Sequence, residues 1–205
     1  MAYGISGLVP RSAAVALAAA TLAGCGVNSV PTSEEQAKAK WADVQAAFQE
    51  RANLVPNLAA VAKGAAAQEK GILVGVVEAR AKATSINLSG DDLKDPAKMK
   101  AFQDAQNQLS GSLNGFGRLL ANVEAYPQLK SIDNYQMLQS QIEGIENKIR
   151  IALKDYNEAV RQYNTTIRTF PAAIAAKVIY GSKPLVPYEA VTPGANVAPT
   201  LEGKI

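Results

Sequence analysis

The stretch SIDNYQMLQSQIEGIENKIRIALKDYNEAVRQYNTTIRTFP, residues 131–171, decides the fold class. Leu138, Ile142, Ile145, Ile149, Ala152, Tyr156, Tyr163, Ile167 and Phe170 recur in it at spacings of three and four or their sum. That rhythm puts them on one face of an α-helix, whereas a half-buried strand would alternate every second residue. Ser131 is the predicted N-cap and Pro171 the stop. The stripe therefore describes a helix of about 40 residues, roughly 60 Å long. One apolar face of that length needs partners along all of it.

The partners are found by reading towards the amino terminus. Met99, Phe102, Leu109, Leu113, Phe116, Leu120 and Val123 form the stripe of a second helix, opened by Asp95-Pro96 as N-cap and first helical residue and closed by Tyr126-Pro127. The short connection from Tyr126 to Ser131 folds these two helices back as antiparallel neighbours. A third stripe is Trp41, Val44, Phe48, Val55, Leu58 and Ala62, with Arg51 the one charged residue in register. Thr32-Ser33-Glu34-Glu35-Gln36 has capping-box spacing and marks its predicted start. Pro56 predicts a kink or a short break near Asn53 to Pro56.

The stripe resumes as Ile72, Val76 and Ala79 after Gly64 and Gly71, one of which is expected to mark a turn. Asn87 to Asp95 is a polar connection. Ala172 to Tyr180 reads as a short apolar helix ended by Gly181. From Ser182 onward, prolines at 184, 187, 193 and 199 predict an extended, disordered tail. The expected architecture is all-α, an elongated antiparallel up-and-down four-helix bundle with a disordered C-terminal tail.

The amino terminus carries an address. Ala13 to Ala23 is an apolar run of 11 residues after Arg11, signal-peptide length and too short to span a hydrocarbon core of about 30 Å. It ends in Leu22-Ala23-Gly24-Cys25, which resembles the bacterial lipobox, and Cys25 is the only cysteine of the chain. The expected division is a lipoprotein signal peptide over 1–24, a tether over 25–31, the bundle over 32–181 and a Pro-rich tail over 182–205. Cys25 is the expected lipidation site. Gly26 stands where an aspartate would, by resemblance to lipoprotein sorting, argue for the inner membrane, so the outer membrane is favoured. The alternative is a retained amino-terminal anchor.

Composition removes whole classes of chemistry. With no histidine among 205 residues, the usual general base and the Ser/His and Cys/His nucleophile pairs are excluded, as are most zinc sites. One cysteine excludes an internal disulfide. A net charge of +3, with cations and carboxylates interspersed, lacks the one-signed stripe that a nucleic-acid backbone requires. No enzyme activity, cofactor, metal site, nucleic-acid partner or small-molecule substrate is expected.

Four polar or glycine-rich constellations stand out. Arg51, Asn53 and Asn57 flank Pro56, either satisfying carbonyls freed at the proline or meeting a partner. Glu143, Glu146 and Asn147 lie on adjoining turns, where surface ion pairs with Lys148 and Arg150 are expected in preference to a metal. Gly111, Gly115 and Gly117 have no preceding strand to make a phosphate loop and are expected to permit close helix packing. Tyr156-Asn157 and Tyr163-Asn164, seven residues apart, are expected to form an interhelical polar ladder that specifies the core, with partner recognition the alternative.

These residues together resemble the LemA family. The matching segments are Trp41-x-Asp43-Val44, Arg51 to Leu58, Glu78 to Ala81, Leu119 to Lys130, Glu146 to Ile149, Tyr156-Asn157-x-Ala159-Val160, Tyr163-Asn164-x-x-Ile167-Arg168 and Phe170-Pro171, followed by Lys183-Pro184 and Tyr188-Glu189. Gln68 stands before Glu69 where many relatives carry histidine, and the lipobox departs from the single-pass anchor of many relatives. The resemblance implies a membrane-attached four-helix bundle in a family without an established activity, with relatives tied to envelope organisation and some to magnetosome membranes. It supplies no catalytic residue.

The functional expectation is a membrane-anchored envelope bundle, attached through lipidated Cys25 with the bundle outside the cytoplasm. It acts as a non-enzymatic adaptor or scaffold for an unidentified envelope protein. The candidate partner-binding residues are Arg51, Asn53, Pro56, Asn57, Glu124, Tyr126 and Pro127. The alternative is a lipid-binding or membrane-remodelling bundle that uses Ala172 to Tyr180 with Lys177.

Overall fold

The computed structural model describes residues 11–62, 70–121 and 133–189, with side chains over 26–60, 71–118, 137 and 140–189. Its helices are α1 (Arg11–Ala62), α2 (Lys70–Ser85), α3 (Pro96–Ala121), α4 (Asp133–Thr166) and α5 (Ala172–Val178), with a 3₁₀ turn at Asp92–Lys94 before α3. α1 packs along α4 and against α2, α2 packs on α3, and α5 lies on the first part of α1. Cross-helix bonds give the directions. Trp41 and Ala52 of α1 meet Leu88 and Arg80 in reverse order, so α2 descends beside α1. Glu50 and Lys40 meet Lys148 and Asp155, so α4 descends as well. The bundle is up-and-down, as the stripes predict.

The stripes account for the core. Trp41, Val44, Phe48, Met99, Phe102, Ile145, Ile149, Tyr156 and Tyr163 are buried in one cluster, and Val55, Leu58, Val76, Ala79, Leu109, Leu113 and Phe116 in a second. The Trp41 ring stands 5.2 Å from Phe102 and 5.0 Å from Tyr156, at steep tilts that suit ring quadrupoles. Asp95 caps α3 as expected, its Oδ1 accepting from Ala97 N at 2.8 Å and Lys98 N at 3.3 Å. The side chains of Ala62, Leu120 and Leu138, and Val123 and the Ser131 cap, lie outside those described, as does Gly64.

Several expectations are corrected. Gly26 to Pro31, read as a tether, is helical and continuous with the rest of α1. Thr32 does not start a helix; its hydroxyl donates back to the Asn28 carbonyl. Of the kink or break expected at Pro56 the break is excluded, since α1 runs through it; Gly71 lies inside α2, which leaves the expected turn to Gly64, outside the described residues. α4 ends at Thr166, so Phe170 leaves the stripe and is 82% exposed. Residues 182–189 are an extended segment bonded along α4 and not loose tail; residues 190–205 lie outside the described residues.

Gly111, Gly115 and Gly117 do not mediate close packing, because a Cβ at each would meet open space. They carry only the entropic cost of glycine in a helix. Each change to alanine is expected to stabilise the fold by about 0.5–1 kcal/mol, measured as a higher urea midpoint at unchanged m-value.

Candidate functional site

Arg51 occupies a core position of α1 between the two apolar clusters, and its side chain is 3% exposed. Such a cation needs every available acceptor. Nη1 donates to Ser110 Oγ of α3 and to Glu146 Oε1 of α4 at 3.1 Å, and Nη2 donates to the carbonyl and Oε1 of Gln106 at 3.2 and 2.8 Å. Gln106 Nε2 in turn donates to the Ala83 carbonyl of α2 at 3.2 Å. One network thus ties all four long helices. The guanidinium also lies over the Phe48 ring, 5.0 Å from its centroid. Arg51 is consequently unable to touch a partner, and Glu146 pairs with it and not with Lys148 or Arg150 as expected. Lys148 reaches Glu50, and Arg150 donates to Asn147.

One turn further along, Pro56 has no N–H for the Ala52 carbonyl, which is where a fourth-residue helical bond would go. Arg80 Nε of α2 donates to that oxygen at 2.8 Å. The repair comes from a cation on the neighbouring helix, whereas Asn53 and Asn57 are exposed and Asn53 Oδ1 accepts from Gln49. Arg80→Met is expected to destabilise by about 1–3 kcal/mol, the cost of a buried carbonyl left unpaired. In a Pro56→Ala background the new N–H takes over and that cost should shrink. A four-variant denaturation cycle measures the coupling; equal costs in the two backgrounds would remove Arg80 from this role.

The Tyr-Asn pairs do form a ladder, but to the chain's own closing segment instead of another helix. Asn164 Nδ2 donates to the Leu185 carbonyl at 2.8 Å and its Oδ1 accepts from Leu185 N at 2.9 Å. Asn157 holds Tyr188 in the same two-point manner, at 2.9 and 2.8 Å. Tyr156 and Tyr163 donate to the carbonyls of Val186 and Lys183. Val186 N donates to the Leu93 carbonyl, closing the strap onto the 3₁₀ turn.

Burial pushes the Tyr188 phenol up to about 12 despite the opposing field of Arg51, and burial raises Tyr156 too. A phenol with a higher pKa folded than unfolded contributes stability below the unfolded value of 10.0 that is lost as pH climbs through the folded value. Thermal midpoints should fall between about pH 10 and about pH 12, and less steeply in Tyr188→Phe.

A cavity of about 310 Å³ opens between α1, α2 and α3, lined by Gln45, Phe48, Gln49, Thr84, Asn87 and Phe102 among others. None of its lining groups is acidic or basic, and Gln45 Nε2 already donates to Asn87 and to the Leu88 carbonyl. It offers hydrogen bonds and no proton transfer. Among the described residues, no group of three or more His, Cys, Asp or Glu is placed to hold a metal ion. No described helix is long and apolar enough to cross a membrane.

The candidate partner residues are thus separated by the fold. Arg51 is interior, while Asn53, Pro56 and Asn57 are exposed near the end of α1. Glu124, Tyr126 and Pro127 lie outside the described residues, in sequence between the ends of α3 and α4 that share that end of the bundle. Sequence reasoning missed Arg80 and the strap. The signal for Arg80 was the carbonyl four residues before Pro56.

The chain is 27% identical over 158 residues to the magnetosome proteins MamQ 1 and MamQ 2 of Paramagnetospirillum magneticum, covering 70% of this chain and 58% of each relative. It is 28% identical over 157 residues to the magnetosome protein MamQ of Magnetospirillum gryphiswaldense, with the same coverage. The chain therefore spans less than two thirds of these relatives. The family model of the LemA family matches residues 40–202, which include Arg51, Arg80, both Tyr-Asn pairs and the strap. By that match over most of its length, the chain belongs to the LemA family.

Proposed function

We propose that this protein is a membrane-attached bundle of the cell envelope that presents its far end to another envelope protein, as an adaptor or scaffold without chemistry of its own. The continuity of α1 carries this reading, since one helix runs from within the apolar leader past Cys25 into the core. A lipid on Cys25 would therefore sit at one end of a stiff body. Asn53, Pro56 and Asn57 lie about 45 Å farther along α1. Acyl chains on the cysteine would hold the bundle firmly, and similarity to magnetosome proteins supports association with a membrane. Gly26 favours the outer membrane over the inner.

The test labels the full chain and Cys25→Ala with a palmitate analogue and fractionates envelopes by density. Label and cleavage before Cys25, both lost in the variant, support lipid attachment. An unprocessed, unlabelled chain in the membrane fraction makes residues 13–23 a retained anchor. Photo-crosslinkers at Asn53 and Asn57 should then trap one recurring protein that a crosslinker at Arg161 does not. Absence of any such adduct removes the adaptor role.

A further inference from the structure

Five of the nine large apolar side chains exposed among the described residues fall within 170–180: Phe170, Ile174, Val178, Ile179 and Tyr180. Scattered single apolar residues need no explanation, but a concentration on one short element does. Phe170, Ile174 and Val178 recur every four residues and are 82%, 59% and 76% exposed. Ile174 and Val178 share a face of α5, with Phe170 in the turn just before it, while Ala172, Ala175 and Ala176 are buried on the opposite face. The segment also has a charge signature. Residues 168–183 contain Arg168, Lys177 and Lys183 and no carboxylate, and all three cations are exposed.

The position of this element is set by Gly26. A Cβ there would lie 2.9 Å from Pro171 Cγ and 3.3 Å from Ala172 N, so the start of α5 is pressed against the residue that follows Cys25. The apolar run 13–23, whose place is in or at a membrane, leads directly to this point. Lys183 shares a hollow with Glu34, Asp91 and Asp95, whereas Arg168 and Lys177 flank and belong to the apolar element itself; an apolar face with such cations, held beside a membrane attachment, has the composition of an interfacial anchor.

We propose that Phe170, Ile174, Val178 and Ile179 form a foot that dips into the lipid surface beside residue 25, with Arg168 and Lys177 meeting anionic headgroups. This rests on the membrane attachment proposed above and adds a second, independent contact. A bundle held at one flexible point would tumble on its anchor. Two contacts fix its tilt and hold the Asn53 to Asn57 end away from the bilayer.

The experiment places a photo-crosslinking amino acid at 174, at 178 and, as a control, at the exposed apolar Ile151 of α4 in the full chain, and irradiates native envelopes. Exposure at these positions makes the substitutions tolerable to the fold. Lipid adducts at 174 and 178, absent at 151 and diminished by Lys177→Glu, are the expected result. A chain that remains in the membrane fraction without lipid adducts at 174 and 178, or with protein adducts there instead, overturns the foot and leaves the attachment intact. A chain that leaves the membrane fraction overturns both.

Discussion

Replacing Arg51 by alanine is expected to cost about 4 kcal/mol of stability, as much as truncating a buried aromatic ring. Two losses add. The buried aliphatic stem that fills the space between the clusters disappears, worth about 2 kcal/mol. The acceptors it served, Gln106 Oε1 and Ser110 Oγ, then lose a charged donor, at about 1–3 kcal/mol together. Glu146 adds little to this sum because its side chain is 45% exposed and water can replace the arginine. Arg51→Met keeps most of the stem and should cost about half as much. Glu146→Ala is the inverse experiment. It leaves the interior cation with neutral partners only, and should cost about 1–3 kcal/mol. Denaturant unfolding at neutral pH measures all three; Arg51→Ala falling below Glu146→Ala would show that the network is slack.

The double substitution Asn157→Ala and Asn164→Ala is the second large effect, about 3–5 kcal/mol. Each asparagine removes two bonds at once and strands a backbone N–H and a carbonyl of the strap. Removing one leaves the other to hold the segment, so the single changes should be clearly milder than half the pair. Asn164→Asp is informative in a different way. Its carboxylate still accepts from Leu185 N, but it faces the Leu185 carbonyl with no proton to offer. Hydrogen exchange read along 183–189 should show the strap opening in the double variant while α4 stays protected. Uniform loss of protection through both would mean that strap and helix unfold as one unit.

How much of this was legible depended on whether a signal was periodic. The stripes of α3 and α4 and the Asp95-Pro96 cap are local patterns, and they became helices over Met99 to Phe116 and Ile142 to Tyr163, α4 ending short of Ile167 and Phe170. Arg51 was visible as the charged residue in an apolar register. Its partners were not, because Ser110, Gln106 and Glu146 come from helices whose rotation the sequence does not record. Pro56 was read as a kink or a short break because a proline's missing donor is a local fact, whereas Arg80's replacement donor is a tertiary one. Gly111, Gly115 and Gly117 looked like packing contacts because spacing alone does not tell an inward face from an outward one. The foot was partly legible as an apolar helix over 172–180. What placed it beside Cys25 was the close approach of Gly26, which leaves no periodic trace.

The strap was misread for an instructive reason. Its prolines break every rhythm, so composition assigns it to disorder. Yet the N–H groups it uses belong to Leu185, Val186 and Tyr188, with Pro184 just before the first of them and Pro187 in the gap between the last two. Each proline also drives the residue before it, Lys183 and Val186, towards the extended backbone that lies along α4. These rings contribute before any bond is made, by thinning the conformations from which the free segment must be gathered. The closing segment is thus a ruler cut to length in advance: α4 has only to grip it at two marks, Leu185 and Tyr188, with asparagines seven residues apart.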